Sequence, residues 1–269
     1  MNRGTMDMEN LSSNRSVSRT VTNFRFCSDD AGVPEGGKMV QKRTIQKKLF
    51  MDGFYILDDE RVRQFLIVGE DEALLIDTGF EDSHVYQAVR SITDLPVQVL
   101  MTHGDRDHAG GLKEFGACRI HRGDWELIPE GIQLEPLKEG DTFRCGDYTL
   151  EVIEIPGHTY GSVAFVDWEK KLLLPGDSVQ KDGPIYMFGE HRNLDLYLES
   201  QRKLLGIMDR IETVLPCHHD CPITPDYIGK NLQDAEALKN GLLPGEKHPF
   251  MPCRTYHGTW TDFYYTEKP

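Results

Sequence analysis

The segment at residues 101–111 constrains this chain more than any other part of its sequence. It follows a short apolar run, ends in two glycines, and contains four potential metal ligands within six residues, namely His103, Asp105, Asp107 and His108. A loop at a strand end can turn such side chains toward one point, whereas a helix or a strand spreads them over several directions. The segment therefore predicts a metal-binding loop. The alternative, a solvated acidic loop with surface histidines, explains one histidine more easily than four ligand-type residues.

Three later segments place ligand-type side chains in loops that also follow short apolar runs. Each loop contains glycine or proline, and the side chains are His158, Asp177 and the neighbours His218 and His219. Imidazole and carboxylate groups together suit zinc, iron or manganese. One such loop carries little information, but four of them in one chain match what a site for two metal ions requires.

The remaining pattern indicates the fold class. From about residue 46, short apolar or alternating runs bounded by glycine or acidic turns predict strands. Helical periodicity covers residues 82–92, 195–208 and 225–242, and Ser83 is a candidate cap for the first of these helices. Hairpin-like strand pairs mixed with helices predict an α/β (α+β) fold built in layers, with mixed β-sheets. Residues 45–269 are expected to form this folded domain.

The first 44 residues differ from the rest of the chain. They are rich in Ser, Asn and Arg and have little periodic apolar pattern, which predicts a disordered or weakly ordered extension. An organelle-targeting segment and a natural start near Met39 both stay open. The six cysteines are widely spaced and no apolar leader precedes them, so we expect reduced thiols and a cytoplasmic protein.

The charge balance narrows the class of partner. The chain has 44 acidic and 30 basic residues, which gives a net charge of −14. A strongly acidic protein is a poor ligand for nucleic acid or for an anionic membrane surface. No apolar run reaches the roughly 20 residues that span a bilayer. We therefore expect a small-molecule substrate, with a homodimer as a common state for such an enzyme.

The order of these segments resembles the metallo-β-lactamase-fold superfamily of metal-dependent hydrolases. The early Asp-Thr-Gly at residues 77–79 also matches that family, and the resemblance covers about residues 50–225. It implies an αββα sandwich, in which two mixed β-sheets are flanked by helices and the metal site lies at one edge of the sheets. It does not specify the substrate.

The resemblance also implies a role for each candidate ligand. The first metal ion would be bound by His103, the residue at position 105 and His158. The second ion would be bound by Asp107, His108 and His218, and Asp177 would bridge the two ions.

The resemblance also gives expectations for His218 and Asp77, and sequence position alone gives one for Tyr160. His218 is preferred to His219, because the family usually reads Pro-Gly-His-Gly where this chain reads Pro-Cys-His-His. Asp77 is expected to support a ligand or the fold. Tyr160 lies two residues after His158 and is a candidate for substrate binding, with a packing role as the alternative.

One position departs from the family pattern. The family loop normally reads His-x-His-x-Asp-His, and here Asp105 stands at the second histidine. A carboxylate is a harder and more negative ligand, so it should move the metal preference from zinc toward iron or manganese. Because Asp is short, it could instead fail to reach and leave the first site weak. We expect two divalent ions, with zinc first among the candidates, and both alternatives stay open.

These expectations lead to a mechanistic hypothesis. A hydroxide bridging two metal ions has a pKa near 7 and would attack an acyl bond in a thioester, lactone, ester or amide. Asp107 would orient this nucleophile and take its proton. Two alternatives stand beside it: an iron-dependent oxidoreductase or dioxygenase in the same fold, motivated by Asp105, and a non-catalytic metal-binding protein. The segment after His218 is expected to be too short for the larger helical region of a hydroxyacylglutathione hydrolase.

Overall fold

The computed structural model describes residues 44–266. The predicted weakly ordered extension at residues 1–44 lies outside the described residues except for its last position, so it stays a prediction. In the described part of the chain, no helix combines the length and the apolar character needed to cross a membrane.

The first sheet has seven strands that follow one another in chain order. They are β1 (Gln46–Met51), β2 (Phe54–Asp58), β3 (Arg63–Val68), β4 (Ala73–Ile76), β5 (Val97–Leu100), β6 (Ala117–His121) and β7 (Gln133–Leu137). Strands β1 to β4 pair antiparallel, and β4 to β7 pair parallel. Helices α1 (Val85–Arg90) and α2 (Arg106–Ala109) lie in the parallel connections, as such connections require.

Nine more strands form a second and a third sheet. In chain order they are β8 (Thr142–Cys145), β9 (Tyr148–Glu154), β10 (Val163–Asp167), β11 (Leu172–Leu174), β12 (Pro184–Met187), β13 (Thr213–Val214), β14 (Gly245–Lys247), β15 (Arg254–His257) and β16 (Asp262–Tyr265). The second sheet has the order β13-β11-β10-β9-β8, and the third has the order β12-β16-β15-β14. The longer helices are α3 (Leu194–Leu205) and α4 (Asp226–Lys239).

The two larger sheets pack face to face, with helices outside them. On β4, Leu74 and Ile76 face the second sheet, whereas Leu75 between them packs with Val85 and Val89 of α1. This alternation follows from the period of two along a strand. Both faces of β4 are therefore buried, which explains why its sequence is apolar without interruption. The outer face of the second sheet packs against α3 and α4, and the predicted αββα sandwich is confirmed.

The third sheet is a difference from the sequence prediction, which contained only two. It packs on α3 and α4 through Ile185, Met187 and Phe263, which contact Tyr197 and Leu232. Its strands are only three or four residues long, and β12 pairs in parallel with β16 far along the chain. Such short strands give little periodic signal, and the distant partner of β12 cannot be identified from its neighbouring sequence, so the sequence analysis missed this sheet.

The start of α1 corrects a second expectation. The residue at the helix N-cap is His84, and Ser83 makes no capping bond. Instead the hydroxyl of Ser83 contacts the carboxylate of Asp59 and accepts a hydrogen bond from the amide of Phe80. Ser83 therefore joins α1 to the turn between β2 and β3.

Strand direction determines where the loops lie. Strands β4 and β5 are parallel, and so are β11 and β13. Strand β9 runs in the same direction as β11, because each pairs antiparallel with β10. The carboxyl ends of these five strands release the segments that begin with Asp77, Met101, Ile155, Pro175 and Leu215.

Candidate metal centre

The loops at these strand ends bring six of the seven predicted ligands into two groups that share Asp177, and Asp105 belongs to neither group. One group contains His103, His158 and Asp177. The other contains Asp107, His108, Asp177 and His218. Within each group the potential ligand atoms lie within 4.8 Å of one another, which is close enough for one cation to reach them all.

Asp177 connects the two groups through both of its carboxylate oxygens. Its Oδ1 atom lies 3.3 Å from Nε2 of His108, and its Oδ2 atom lies 3.3 Å from Nε2 of His218 and 3.6 Å from Nε2 of His158. The side chain is nearly buried, and it follows Gly176, whose positive φ of 56° favours glycine. One carboxylate thus faces histidines of both groups.

The histidines have their outer nitrogens occupied. Nδ1 of His158 lies 3.0 Å from the carbonyl oxygen of Tyr186, and Nδ1 of His218 lies 2.7 Å from the carbonyl oxygen of Arg61. Because a carbonyl only accepts, each Nδ1 carries the proton and donates it. Each Nε2 then offers its lone pair toward the cluster, which is the usual arrangement in metal-ligating histidines.

Asp77 orients two further histidines from behind. Its carboxylate accepts hydrogen bonds from Nδ1 of His108 at 2.8 Å and from the hydroxyl of Thr102 at 2.7 Å. The same hydroxyl lies 3.0 Å from Nδ1 of His103. Thr102 therefore connects the carboxylate of Asp77 to the ring of His103. Asp77 has a positive φ of 63°, a strained conformation that folded proteins keep at functional sites.

Buried polar atoms that lack a hydrogen-bond partner indicate whether these residues fit metal ions. In the described part of the chain, Nε2 of His103, Nε2 of His158 and Oδ1 of Asp177 are buried and make no hydrogen bond. Buried polar atoms without partners are costly and call for a ligand. The set of nitrogen and carboxylate donors suits divalent zinc, manganese or iron. The residues therefore fit two divalent cations.

Burial and neighbouring charges shift the pKa values of the carboxylates and imidazoles in the metal-free cluster. Burial acts to raise the pKa of Asp177, but the imidazoles of His218 and His108 hold it well below its usual value. Burial acts to lower the pKa of His218, and Asp177 and Asp107 raise it to about 10. The carboxylates thus require nearby positive charge, which protons supply until a cation replaces them.

Asp105 lies at the edge of the first group and has a cationic partner. Its Oδ2 atom is 3.3 Å from Nε2 of His158 and 3.6 Å from Nε2 of His103. Nη2 of Arg192 donates a hydrogen bond to the same oxygen. Burial acts to raise the pKa of Asp105, and Arg192 with the two imidazoles holds it well below its usual value. The sequence analysis missed Arg192, because no motif in the neighbouring sequence indicates a functional role for it.

Asp124 is a second residue that the sequence analysis missed. It is fully buried and accepts hydrogen bonds from the amides of Gly104 and Gly161 at 2.8 and 2.7 Å and from the hydroxyl of Thr159. Gly104 follows His103, and Thr159 follows His158. Asp124 therefore ties together the two loops that present the histidines of the first group.

Two other predicted positions lie beside the cluster. The ring of Tyr160 is partly exposed and packs edge-on to His191 at 6.3 Å, so substrate binding stays a prediction for it. His219 belongs to neither ligand group. Its ring lies against Gly183, where an added Cβ would come within 2.0 Å of Nε2, and its carbonyl accepts a hydrogen bond from Arg63.

Comparison with known proteins adds independent information. The family model described as "Metallo-beta-lactamase superfamily" matches residues 57–117. The human acyl-coenzyme A thioesterase MBLAC2 is 24% identical over 220 residues, with 65% of this chain and 76% of that protein covered. A hydroxyacylglutathione hydrolase from Bdellovibrio bacteriovorus is 31% identical over 201 residues, with 72% of this chain and 74% of that protein covered.

Solved structures agree on the fold. The metallo-β-lactamase DIM-1 superposes with a TM-score of 0.61 at 14% identity, over 72% of this chain and 98% of that chain. A metallo-β-lactamase from Pontibacter korlensis gives a TM-score of 0.62 at 18% identity, over 72% of this chain and 99% of that chain. At these identities the likeness concerns architecture alone.

Proposed function

The chain belongs to the metallo-β-lactamase superfamily and is a metal-dependent acyl hydrolase, and we propose that it cleaves small-molecule thioesters with two bound zinc ions. The observation that carries this proposal is the position of Asp177. One nearly buried carboxylate turns its two oxygens toward histidines of both ligand groups. A carboxylate in this position can bridge two cations, which supports a site for two ions.

We assign the ligands by group. The first ion would be held by His103, Asp105 and His158, and the second by Asp107, His108 and His218, with Asp177 shared between them. When bound, such ions polarise the acyl oxygen of a substrate and lower the pKa of an attacking water toward about 7.

Asp107 is the carboxylate that we assign to proton transfer. Its side chain is 25% exposed, whereas Asp177 is 7% exposed. Asp105 is also reachable, but its Oδ2 atom is held by Arg192. Oδ2 of Asp107 lies 3.2 Å from Nε2 of His218, so one side of the carboxylate faces the ligand group while the residue still reaches solvent. Asp107 can therefore accept a proton from the water that attacks.

A thioester suits this set of residues. The two relatives described above carry names that specify acyl groups on coenzyme A and on glutathione, and both carriers bind the acyl group through a thiol. A thiolate with a pKa near 8.5 leaves without prior protonation. One carboxylate that accepts a proton is then sufficient, and no second acid has to protonate the leaving group.

The proposal is tested by thiol release. Purified protein is incubated with a series of acyl-coenzyme A and acylglutathione thioesters and with matched oxygen esters; free thiol is measured with a chromogenic disulfide for the thioesters, and released acid is titrated for both series. We expect thioester turnover that disappears after chelation and returns with zinc. Turnover of the oxygen esters alone would contradict the thioester assignment, and turnover that survives complete metal removal would contradict the metal dependence.

The cellular setting forms a smaller part of the proposal. The five described cysteines are free thiols, and four of them are buried, which favours a reducing compartment such as the cytoplasm. We also propose a homodimer, since this is the commonest oligomer of soluble enzymes. Cell fractionation and light scattering test these two points.

A further inference from the structure

Arg192 is an unusual neighbour for a metal site. Its side chain is only 12% exposed, and Nη2 donates to Oδ2 of Asp105. The residue comes from the segment between β12 and α3, 87 positions away from Asp105 along the chain. A cation so near a group that binds cations would repel them unless its own charge were neutralised.

The contact involves the oxygen that faces the ligands. Oδ2 of Asp105 accepts from Arg192 and also lies 3.3 Å from Nε2 of His158 and 3.6 Å from Nε2 of His103. A carboxylate oxygen has two lone pairs, so one can accept from Arg192 while the other points at the first ligand group. The guanidinium thus fixes the short Asp side chain at the place where it completes that group.

The charges of the two residues cancel. The sequence pattern of the family has a histidine at position 105, which as a ligand is neutral. Asp105 adds one negative charge at that place, and Arg192 adds one positive charge next to it. The net charge of Asp105 and Arg192 together is therefore zero, as it is for a neutral histidine.

We propose that Asp105 and Arg192 act together as one neutral ligand of the first metal ion, in which Arg192 is a positioning residue. The donor atom is still a carboxylate oxygen, but the pair cancels the added negative charge and so opposes the part of the shift toward iron or manganese that this charge causes. This inference rests on the proposed two-metal site. It does not depend on which acyl substrate is cleaved.

If the two residues act as a pair, restoring the histidine of the family pattern at position 105 should harm metal binding. Replacing Asp105 by histidine restores the usual His-x-His-x-Asp-His loop but leaves Arg192 as a largely buried cation without its carboxylate. An uncompensated buried charge is strongly unfavourable, and here it also repels the first metal ion. The histidine variant should therefore bind zinc worse than the natural protein, and removal of Arg192 should cure the defect.

The test is a cycle of wild type, Asp105→His, Arg192→Gln and the double variant. Each protein is loaded with zinc and dialysed, zinc per chain is measured by elemental analysis, and affinity is measured by competition with a chromophoric chelator. We expect two ions in wild type, a loss of about tenfold or more in affinity for one ion in Asp105→His, and recovery in the double variant. Wild-type affinity in Asp105→His, or no recovery in the double variant, would overturn the inference.

Arg192→Gln alone gives a second readout. The carboxylate of Asp105 is then uncompensated, so competitive loading from equal zinc and manganese should give a higher manganese share than in wild type. Arg202→Gln is the matched control, because Arg202 pairs with Glu236 on the surface and is 53% exposed. It should load like wild type. An unchanged manganese share in Arg192→Gln would contradict the charge compensation.

The outcomes separate this inference from the proposed function. A wild-type protein that binds fewer than two ions contradicts both. Two bound ions without thioester turnover contradict the substrate assignment only, and the metal-binding cycle still decides the inference. Circular dichroism and thermal unfolding of each variant identify any loss of zinc that comes from misfolding.

Discussion

At the scale of single residues, the three carboxylates of the cluster differ in what surrounds them. Asp177 is nearly buried between histidines of both groups, and Asp105 is paired with Arg192. Asp107 reaches solvent and contacts the imidazoles of His108 and His218. Identical side chains therefore have different capacities: one can bridge, one can complete a ligand group, and one can exchange a proton with water.

Replacing Asp107 by Asn tests the last of these roles. The amide keeps the size of the side chain but cannot accept the proton and is a weaker ligand, so we expect kcat at saturating zinc to fall by about 10²- to 10⁴-fold with little change in the unfolding temperature of the metal-free protein. Steady-state thioester hydrolysis measures this loss. Asp209→Asn is the control, because Asp209 is exposed in a short helix and belongs to neither ligand group. Wild-type kcat in Asp107→Asn would show that another group takes the proton.

At the scale of elements, turns and loops hold the histidines in place. The turn between β2 and β3 is organised by Asp59, which accepts hydrogen bonds from the amides of Arg61 and Val62 and pairs with the Arg61 guanidinium. The carbonyl of Arg61 then accepts from Nδ1 of His218. Asp59, a buried carboxylate outside both ligand groups, thus helps to orient the ring of His218.

Asp59 also makes stability depend on pH. Burial acts to raise its pKa, but Ser83 and Arg61 lower it overall. Because the pKa is lower in the folded than in the unfolded state, this stabilisation is complete above about pH 4 and disappears as the pH falls through the folded value. We expect Asp59→Asn to lower the free energy of unfolding by about 1–3 kcal/mol at pH 7, with a smaller difference from wild type below pH 4.

Urea unfolding at pH 7 and at pH 3 measures both parts of this prediction. Asp71→Asn, at an exposed turn between β3 and β4, is the matched control and should show little effect at either pH. A difference between wild type and Asp59→Asn that grows toward acid pH would have the wrong sign for this account.

Asp124 acts on two elements at once, since it joins the loop after β5 to the loop after β9. Asn at this position has one oxygen fewer to accept the amides of Gly104 and Gly161. We expect Asp124→Asn to weaken zinc binding by about 10- to 100-fold, as supporting residues of metal sites do, although no ligand is changed. Chelator competition measures the affinity. Unchanged zinc affinity would mean that the loops are positioned without this carboxylate.

At the scale of the whole molecule, the candidate metal ligands come from both large sheets. His103 and His108 follow β5 of the first sheet, whereas His158, Asp177 and His218 follow strands of the second sheet. Metal ions bound there would connect the two layers in the folded state only. A ligand that binds the folded state alone stabilises it by mass action.

We therefore expect zinc to raise the thermal unfolding temperature. A free zinc concentration a thousandfold above Kd corresponds to about 4 kcal/mol for one site. Thermal unfolding with zinc and with chelator measures the shift, and Asp177→Asn, which weakens the connection between the groups, should show a smaller shift. Equal unfolding temperatures with zinc and with chelator would contradict a metal bridge between the sheets.

The sequence was informative where function depends on local segments. The loop at residues 101–111 and the later strand-end loops carry their ligand types in short stretches, and the structure brings six of those side chains together. Arg192 and Asp124 could not be recognised, because each acts through a contact with a segment distant in sequence. The third sheet escaped for the same reason, since the partner of β12 is β16 near the end of the chain.

The most direct test of the central claim is the metal content of protein purified without added metal or chelator. Elemental analysis gives zinc, manganese and iron per chain. The account expects about two ions per chain, mainly zinc, and a loss of ions from both groups in Asp177→Asn because that residue faces both. No more than about one ion per chain in wild type, or a predominance of iron, would contradict a two-zinc hydrolase.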